Sequence, residues 1–82
     1  MKTHELKILD CFYAEVICGN KTYEIRGNDR NFQQGDAVVL REINDDRDYT
    51  GRSCKAEIGY VCDYGQPIGQ VVFSLLNVEV LV

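Results

Sequence analysis

The sequence predicts a mainly β domain, a small antiparallel barrel with one short helix plugging an opening. Three observations lead there. Apolar and polar residues alternate with period two in several short runs. Clusters of Gly, Asn and Asp punctuate these runs at short intervals. A single early segment, residues 10–18, has the apolar spacing of a helix instead. Four or five short strands with one helix close most simply as a barrel.

Taken in order, residues 3–9 (THELKIL) form the first strand, with Leu6 and Ile8 facing inward. Asp10 is placed to cap the helix, whose apolar face is Phe12, Tyr13, Val16 and Ile17. Gly19 ends it, as a glycine past the last turn commonly does. So short a helix depends on packing for its stability. The second strand runs over 21–26, with Tyr23 and Ile25 on the expected inner face and Thr22, Glu24 and Arg26 on the other. GNDRNFQQGD is a loop closed by the Gly35-Asp36 turn.

The third strand, AVVLREI, leads into an acidic connection, NDDRDYTGR. In the fourth, Cys54, Ala56, Ile58, Tyr60 and Cys62 are expected to face the core, and Ser53, Lys55, Glu57 and Gly59 to face away. DYGQPIG turns the chain into a long apolar last strand, QVVFSLLNVEVLV, bent or bulged near Asn77. Because both its faces are apolar, it should be central or cover a partner. The expected core is Leu6, Ile8, Phe12, Tyr23, Ile25, Val38, Leu40, Ile58, Tyr60 and Phe73.

Eighty-two residues make one domain, residues 1–82, without repeats or linkers. Nine Lys and Arg against thirteen Asp and Glu leave a formal charge of −4. That balance counts against a non-specific polyanion binder but allows a small basic patch on an acidic body. No run reaches the eighteen or so apolar residues of a membrane span, and MKTHELKILD has no signal-peptide core. A cytoplasmic location and no membrane partner are expected. The four cysteines then read as small buried hydrophobes, not as a disulfide framework or a metal site.

Chemistry has few places to reside. Asp46, Asp48, Thr50, Gly51 and Glu57 match a calcium-loop spacing, but strands flank them where that loop needs helices. His4 is the only histidine, so no zinc site is expected, though acid–base work stays open to it. Neither a metal nor a cofactor is expected. In the loop, Phe32 either stacks on a base or, the favoured reading, staples the loop to the core. Arg30 stands beside it as a further candidate for binding.

The stretch GNKTYEIR (19–26) is the most informative. Lys21, Glu24 and Arg26 suit a cross-strand salt-bridge face with Arg41 as a neighbour. They equally suit a polar cleft in which Lys21 and an arginine hold a phosphate while Glu24 accepts hydrogen bonds from a base. The negative pole of the helix ending at Gly19 would favour a charged Lys21. Spacing does not separate the two.

The same stretch fits G-x-K-x-x-E-x-R through Gly19, Lys21, Glu24 and Arg26, and so resembles the signature of the activating-signal-cointegrator homology (ASCH) family. LKILDCFYAEVICGNKTYEIR looks like that family's strand, short helix and signature strand. NDRNFQQGDAVVLRE and YTGR resemble its short bacterial and phage subgroup of unknown function. The resemblance implies a PUA-like β-barrel of five to six strands with a cleft between helix and signature strand. It implies that Lys21, Glu24 and Arg26 line that cleft and that Gly19 supplies the turn bringing Lys21 into it. Some relatives with a similar barrel are amidohydrolases of acylated cytidine that use a lysine, a threonine nucleophile and a glutamate. Lys21 matches their lysine, but Glu24 stands where their threonine should, and Thr22 lies two residues earlier.

The leading expectation is therefore a module that binds RNA or a modified nucleoside through Gly19, Lys21, Thr22, Glu24, Arg26 and Arg41, with no DNA-specific signal. An amidohydrolase acting on N-acylated cytidine-type nucleosides, with Lys21 and Glu24 as its catalytic pair, is the alternative. A protein-interaction domain with a vestigial cleft is the third.

Overall fold

The computed structural model describes the whole chain, Met1–Val82. Its elements are β1 (Thr3–Leu9), α1 (Asp10–Ile17), β2 (Tyr23–Gly27), β3 (Ala37–Ile43), β4 (Tyr49–Cys62) and β5 (Gln70–Val80). All five strands join one sheet in the order β1-β3-β4-β5-β2, curled into a half-barrel. Strand accounts for 54% of the residues, as the sequence leads one to expect of a mainly β domain.

The sheet is mixed, not wholly antiparallel. β1 runs parallel to β3, from Thr3↔Ala37 to Leu9↔Ile43, while the other three pairings are antiparallel. The reason is the long excursion between those strands. The chain leaves β1 through α1, builds β2 at the opposite edge, and returns to lay β3 beside β1, and a crossover of that length permits a parallel pair. β1 and β2 remain as the two edges and share no ladder. Between them lies an open seam.

The core fills the concave side with Leu6 and Ile8, Val38 and Leu40, Cys54, Ala56 and Ile58, and Val71, Phe73 and Leu75. α1 packs on β1, β3 and β5 and delivers Tyr13 and Val16 into this core. Phe12 and Ile17 are left at the surface, because eight residues offer only one inward stripe. Asp10 does not cap the helix. Leu9 holds that position, and Asp10 Oδ1 accepts from the Cys11 N–H at 2.8 Å. Gly19, at φ +88°, follows the last turn, and its N–H returns to the Val16 carbonyl at 3.2 Å.

β2 is inverted relative to expectation. Tyr23 and Ile25 are 46% and 49% exposed, whereas Glu24 is 4% exposed and turned inward. A period of two says which residues share a face, not which face is buried. Two cations satisfy the Glu24 carboxylate, so its face can be the buried one.

Tyr60 is also misplaced by simple alternation. A bulge between Ile58 and Val61 breaks the β4–β5 register, buries Gly59 and turns Tyr60 outward. The Tyr60 N–H donates to Ser74 Oγ at 3.0 Å. A side chain at Gly59 would begin 2.1 Å from that oxygen, so any larger residue would displace the Ser74 hydroxyl from its bond to Tyr60. The irregularity expected at Asn77 is present, with φ +55° and a register shift, and β5 is an inner strand between β4 and β2.

Of the cysteines only Cys54 is a buried hydrophobe; Cys11 and Cys18 are exposed and Cys62 is half-buried. Burial, with the nearby Glu24 charge, raises the Cys54 thiol to about 11. Two further acids are buried. Glu42 is closed over by Arg52, which donates from Nε at 2.7 Å and Nη2 at 2.9 Å, and by the Thr50 hydroxyl at 2.5 Å. Burial pushes the Glu42 carboxyl up, but the hydrogen bonds from Arg52 and Thr50 outweigh it and leave it below the ordinary value. Asp36 accepts from His4 Nε2 at 2.8 Å and from the N–H groups of Lys2 and Gln33.

Candidate functional site

The seam between β1 and β2 opens into a cleft of about 820 Å³. Its walls are β1, the start of α1, β2, Arg30 from the following loop, and Ile43, Arg47 and Tyr49 where β3 passes into β4. Local structure brings Lys21 to its mouth. After the Gly19 turn, the Lys21 N–H donates to the Glu15 carbonyl at 2.9 Å, and Asn20 Nδ2 donates to Glu15 Oε2 at 3.0 Å. The Lys21 ammonium then bonds the Tyr23 carbonyl at 2.7 Å and forms an ion pair with Glu24 Oε1.

Arg26 takes the other carboxylate oxygen, Nε to Glu24 Oε2 at 2.8 Å, and reaches across the seam with Nη2 to the Lys7 carbonyl at 2.6 Å. Glu24 thus sits between two cations, each of which retains further N–H donors. A buried carboxylate with one such partner would be costly; with two it is a fixed, oriented acceptor.

Charge is gathered here. Lys7, Lys21, Arg26, Arg30 and Arg47 line the cleft against Glu5 and Glu24, so five of the chain's nine cations face two of its thirteen acids. A molecule of net charge −4 therefore presents a locally positive cleft. Phe12, Tyr23 and Tyr49 add three half-exposed rings. The Lys21 ammonium lies 4.8 Å from the Tyr23 ring centre and 5.9 Å from that of Phe12. Such a site can hold an anion, stack a planar group and accept hydrogen bonds.

Of the residues singled out in the sequence, Lys21, Glu24, Arg26 and Arg30 line the cleft. Gly19 shapes the approach without lining it, and Thr22 is an exposed residue whose carbonyl accepts from the Leu75 N–H. Arg41 is not a partner of β2, which pairs with β5. It bonds Glu5 Oε1 at 2.9 Å and lies 3.7 Å over the Tyr49 ring, behind the cleft wall. His4 is buried against Asp36 and lies outside the cleft. Phe32 is wedged between His4 and Phe73 at ring separations of 4.8 and 4.9 Å, with no free face for a base.

Sequence reasoning missed Lys7, Phe12, Tyr23, Ile25, Arg47 and Tyr49. One signal was present. Cations at three residues before and two after Glu24 would satisfy a buried carboxylate, and turning that face inward sends Tyr23 and Ile25 outward.

Residues 3–75 match the model of a family described as a domain of unknown function, DUF3850. The chain belongs to the DUF3850 family. The matched span includes every residue that lines the cleft. A relative of the DUF3850 chain, described as an uncharacterized 12.9 kDa protein in the GpA 3′ region of Escherichia phage P2, is 37% identical over 62 residues. That alignment covers 76% of this chain and 56% of the relative, so the chain spans little more than half the relative's length. No helix is long and apolar enough to cross a membrane.

Proposed function

We propose that the seam cleft binds either a nucleotide unit of RNA or a free modified nucleoside, in the manner the ASCH-like signature suggests. The observation that carries this reading is the coincidence, in one cleft of an acidic molecule, of five cations, three half-exposed rings and one oriented carboxylate. Lys7, Arg30 and Arg47 suit phosphate; Phe12, Tyr23 or Tyr49 suit the face of a base; Glu24 suits an amino or imino edge. The salt-bridge and cleft readings of the signature converge, since Lys21 and Arg26 pair with Glu24 and still border the cavity.

The amidohydrolase reading has less support. No Ser, Thr, Cys or His lines the cleft, and Thr22 lies outside it. Titration of a short single-stranded RNA, cytidine and N-acetylcytidine against the protein decides the matter. Saturable binding without turnover is the expected result. Release of acetate would establish the enzyme, and no binding of any of the three would remove the proposal.

A further inference from the structure

A second groove, of about 530 Å³, lies on the other side of the loop that carries Arg30. Residues 28–34 are the shared wall: Arg30 faces the seam cleft, while Asn28, Gln33 and Gln34 line the second groove. The opposite wall comes from the β4–β5 hairpin and bears Tyr60 and Tyr64, which are 70% and 89% exposed. The groove contains no Lys or Arg, and Asp63 is its one charged residue.

We infer that this groove is a base subsite for a single-stranded nucleic acid whose adjacent phosphate is held at Arg30; the inference rests on the seam cleft binding a nucleotide. Three features carry it. The Gly59 bulge re-aims Tyr60 from the core to the groove, and such bulges commonly redirect a side chain at a working surface. Two exposed tyrosines offer flat rings, which stack on any base. The amides supply both donors and acceptors. The Asn28 Oδ1 is occupied by the Phe32 N–H at 2.9 Å, which orients its NH₂ as a donor, and Gln33 Nε2 bonds Asn31 Oδ1 at 2.9 Å, which leaves its oxygen as an acceptor. Mixed donors and acceptors beside aromatic faces suit the edges of unpaired bases, and a lack of cations suits a base more than a phosphate. Positive charge falls where the backbone would pass, at Arg30, and is absent where the next base would lie. The ligand is then an oligonucleotide, on the order of four nucleotides, the low end for small single-strand sites.

The test compares a fluorescent RNA tetramer with a nucleoside 5′-monophosphate, by anisotropy and by calorimetry, on wild type and a Tyr60→Ala/Tyr64→Ala variant. Both tyrosines are exposed, so the variant keeps its fold. The tetramer is expected to bind more tightly than the monophosphate, and the variant to lose about 5- to 100-fold for the tetramer while holding the monophosphate as wild type does. Equal affinities of wild type for the two ligands, or an unaltered tetramer affinity in the variant, would overturn the subsite and leave the seam cleft standing. Failure of wild type to bind either ligand would overturn the cleft reading and the subsite with it. A concentration-dependent dimer that the double substitution dissolves would assign the groove to a second copy of the chain instead.

Discussion

Arg26 and Lys7 join the two free edges of the sheet: the Arg26 Nη2 donates to the Lys7 carbonyl at 2.6 Å where no strand ladder exists. The same guanidinium holds Glu24, so one side chain both neutralises a buried acid and sets the width of the seam. Arg26→Ala should therefore destabilise the fold by about 1–3 kcal/mol, the cost of stripping one partner from a buried charged group. Arg26→Lys retains charge but lacks the planar fork, and should recover only part of the loss. Urea unfolding of the three proteins checks both. Full stability in Arg26→Ala would mean that the seam needs no such tie.

Cations and rings in the cleft should have separable effects. Substituting Lys7, Arg30 or Arg47 with Ala should weaken RNA binding and lower its dependence on log salt by about 0.7 for each phosphate no longer neutralised. Arg41→Ala removes the guanidinium behind Tyr49 and the partner of Glu5, but no cation that lines the cleft. It should weaken binding through the ring and the unpaired Glu5 carboxylate, and leave the salt slope, which counts phosphate contacts, unchanged. A lowered slope in Arg41→Ala would place that residue on phosphate.

The orientation of β2 has its own check. Phe73→Ala should cost about 3–5 kcal/mol as a buried aromatic truncation, whereas Tyr23→Ala and Ile25→Ala, on the exposed face, should each cost under about 1 kcal/mol. Comparable losses at all three would put the inverted face in the core.

Acid stability should report on Asp36. The His4 hydrogen bond, followed by that from the Lys2 N–H, lowers its carboxyl from 3.8 to about 2. Folded Asp36 binds its proton less readily than unfolded Asp36, so its contribution is complete above pH 3.8 and fades as the pH falls through 2. Asp36→Asn should flatten the fall in stability across that interval. Identical pH profiles for the two proteins would deny Asp36 this role.

Thiol reactivity should be graded. Cys11 and Cys18 should react first with a neutral disulfide reagent, Cys62 more slowly, and Cys54, buried and held near 11, only on unfolding. A native protein that titrates four thiols at once would contradict the burial of Cys54.

Element positions were legible because alternation and turn residues are local signals. Residues 3–9 and 37–43 appear as strands where expected, and Gly19 stops the helix. What escaped depends on distant partners. The inversion of β2 follows from Lys21 and Arg26 saturating Glu24, which alternation does not register. Tyr60 left the core because of a bulge fitted to Ser74, fourteen residues along the chain. The parallel β1–β3 pair depends on where β2 goes first. At the site, the signature contributed Lys21, Glu24 and Arg26, while Lys7, Arg47 and Tyr49 join them only through the curl of the sheet.

The pairing of β2 with β5 has a consequence for how the domain is made. Every residue that lines the seam cleft lies between positions 5 and 49, yet β2 is laddered to residues 70–74 and to no earlier strand. During synthesis the ribosome releases the complete set of cleft residues well before it releases the strand that holds β2. A nascent chain stopped before residue 70 carries the site's chemistry with no ladder to hold β2 and its Glu24 in place. Pairings so far apart in sequence form late and slowly. Binding competence is thus the last property the folding chain acquires, and its appearance reports that the final strand has docked.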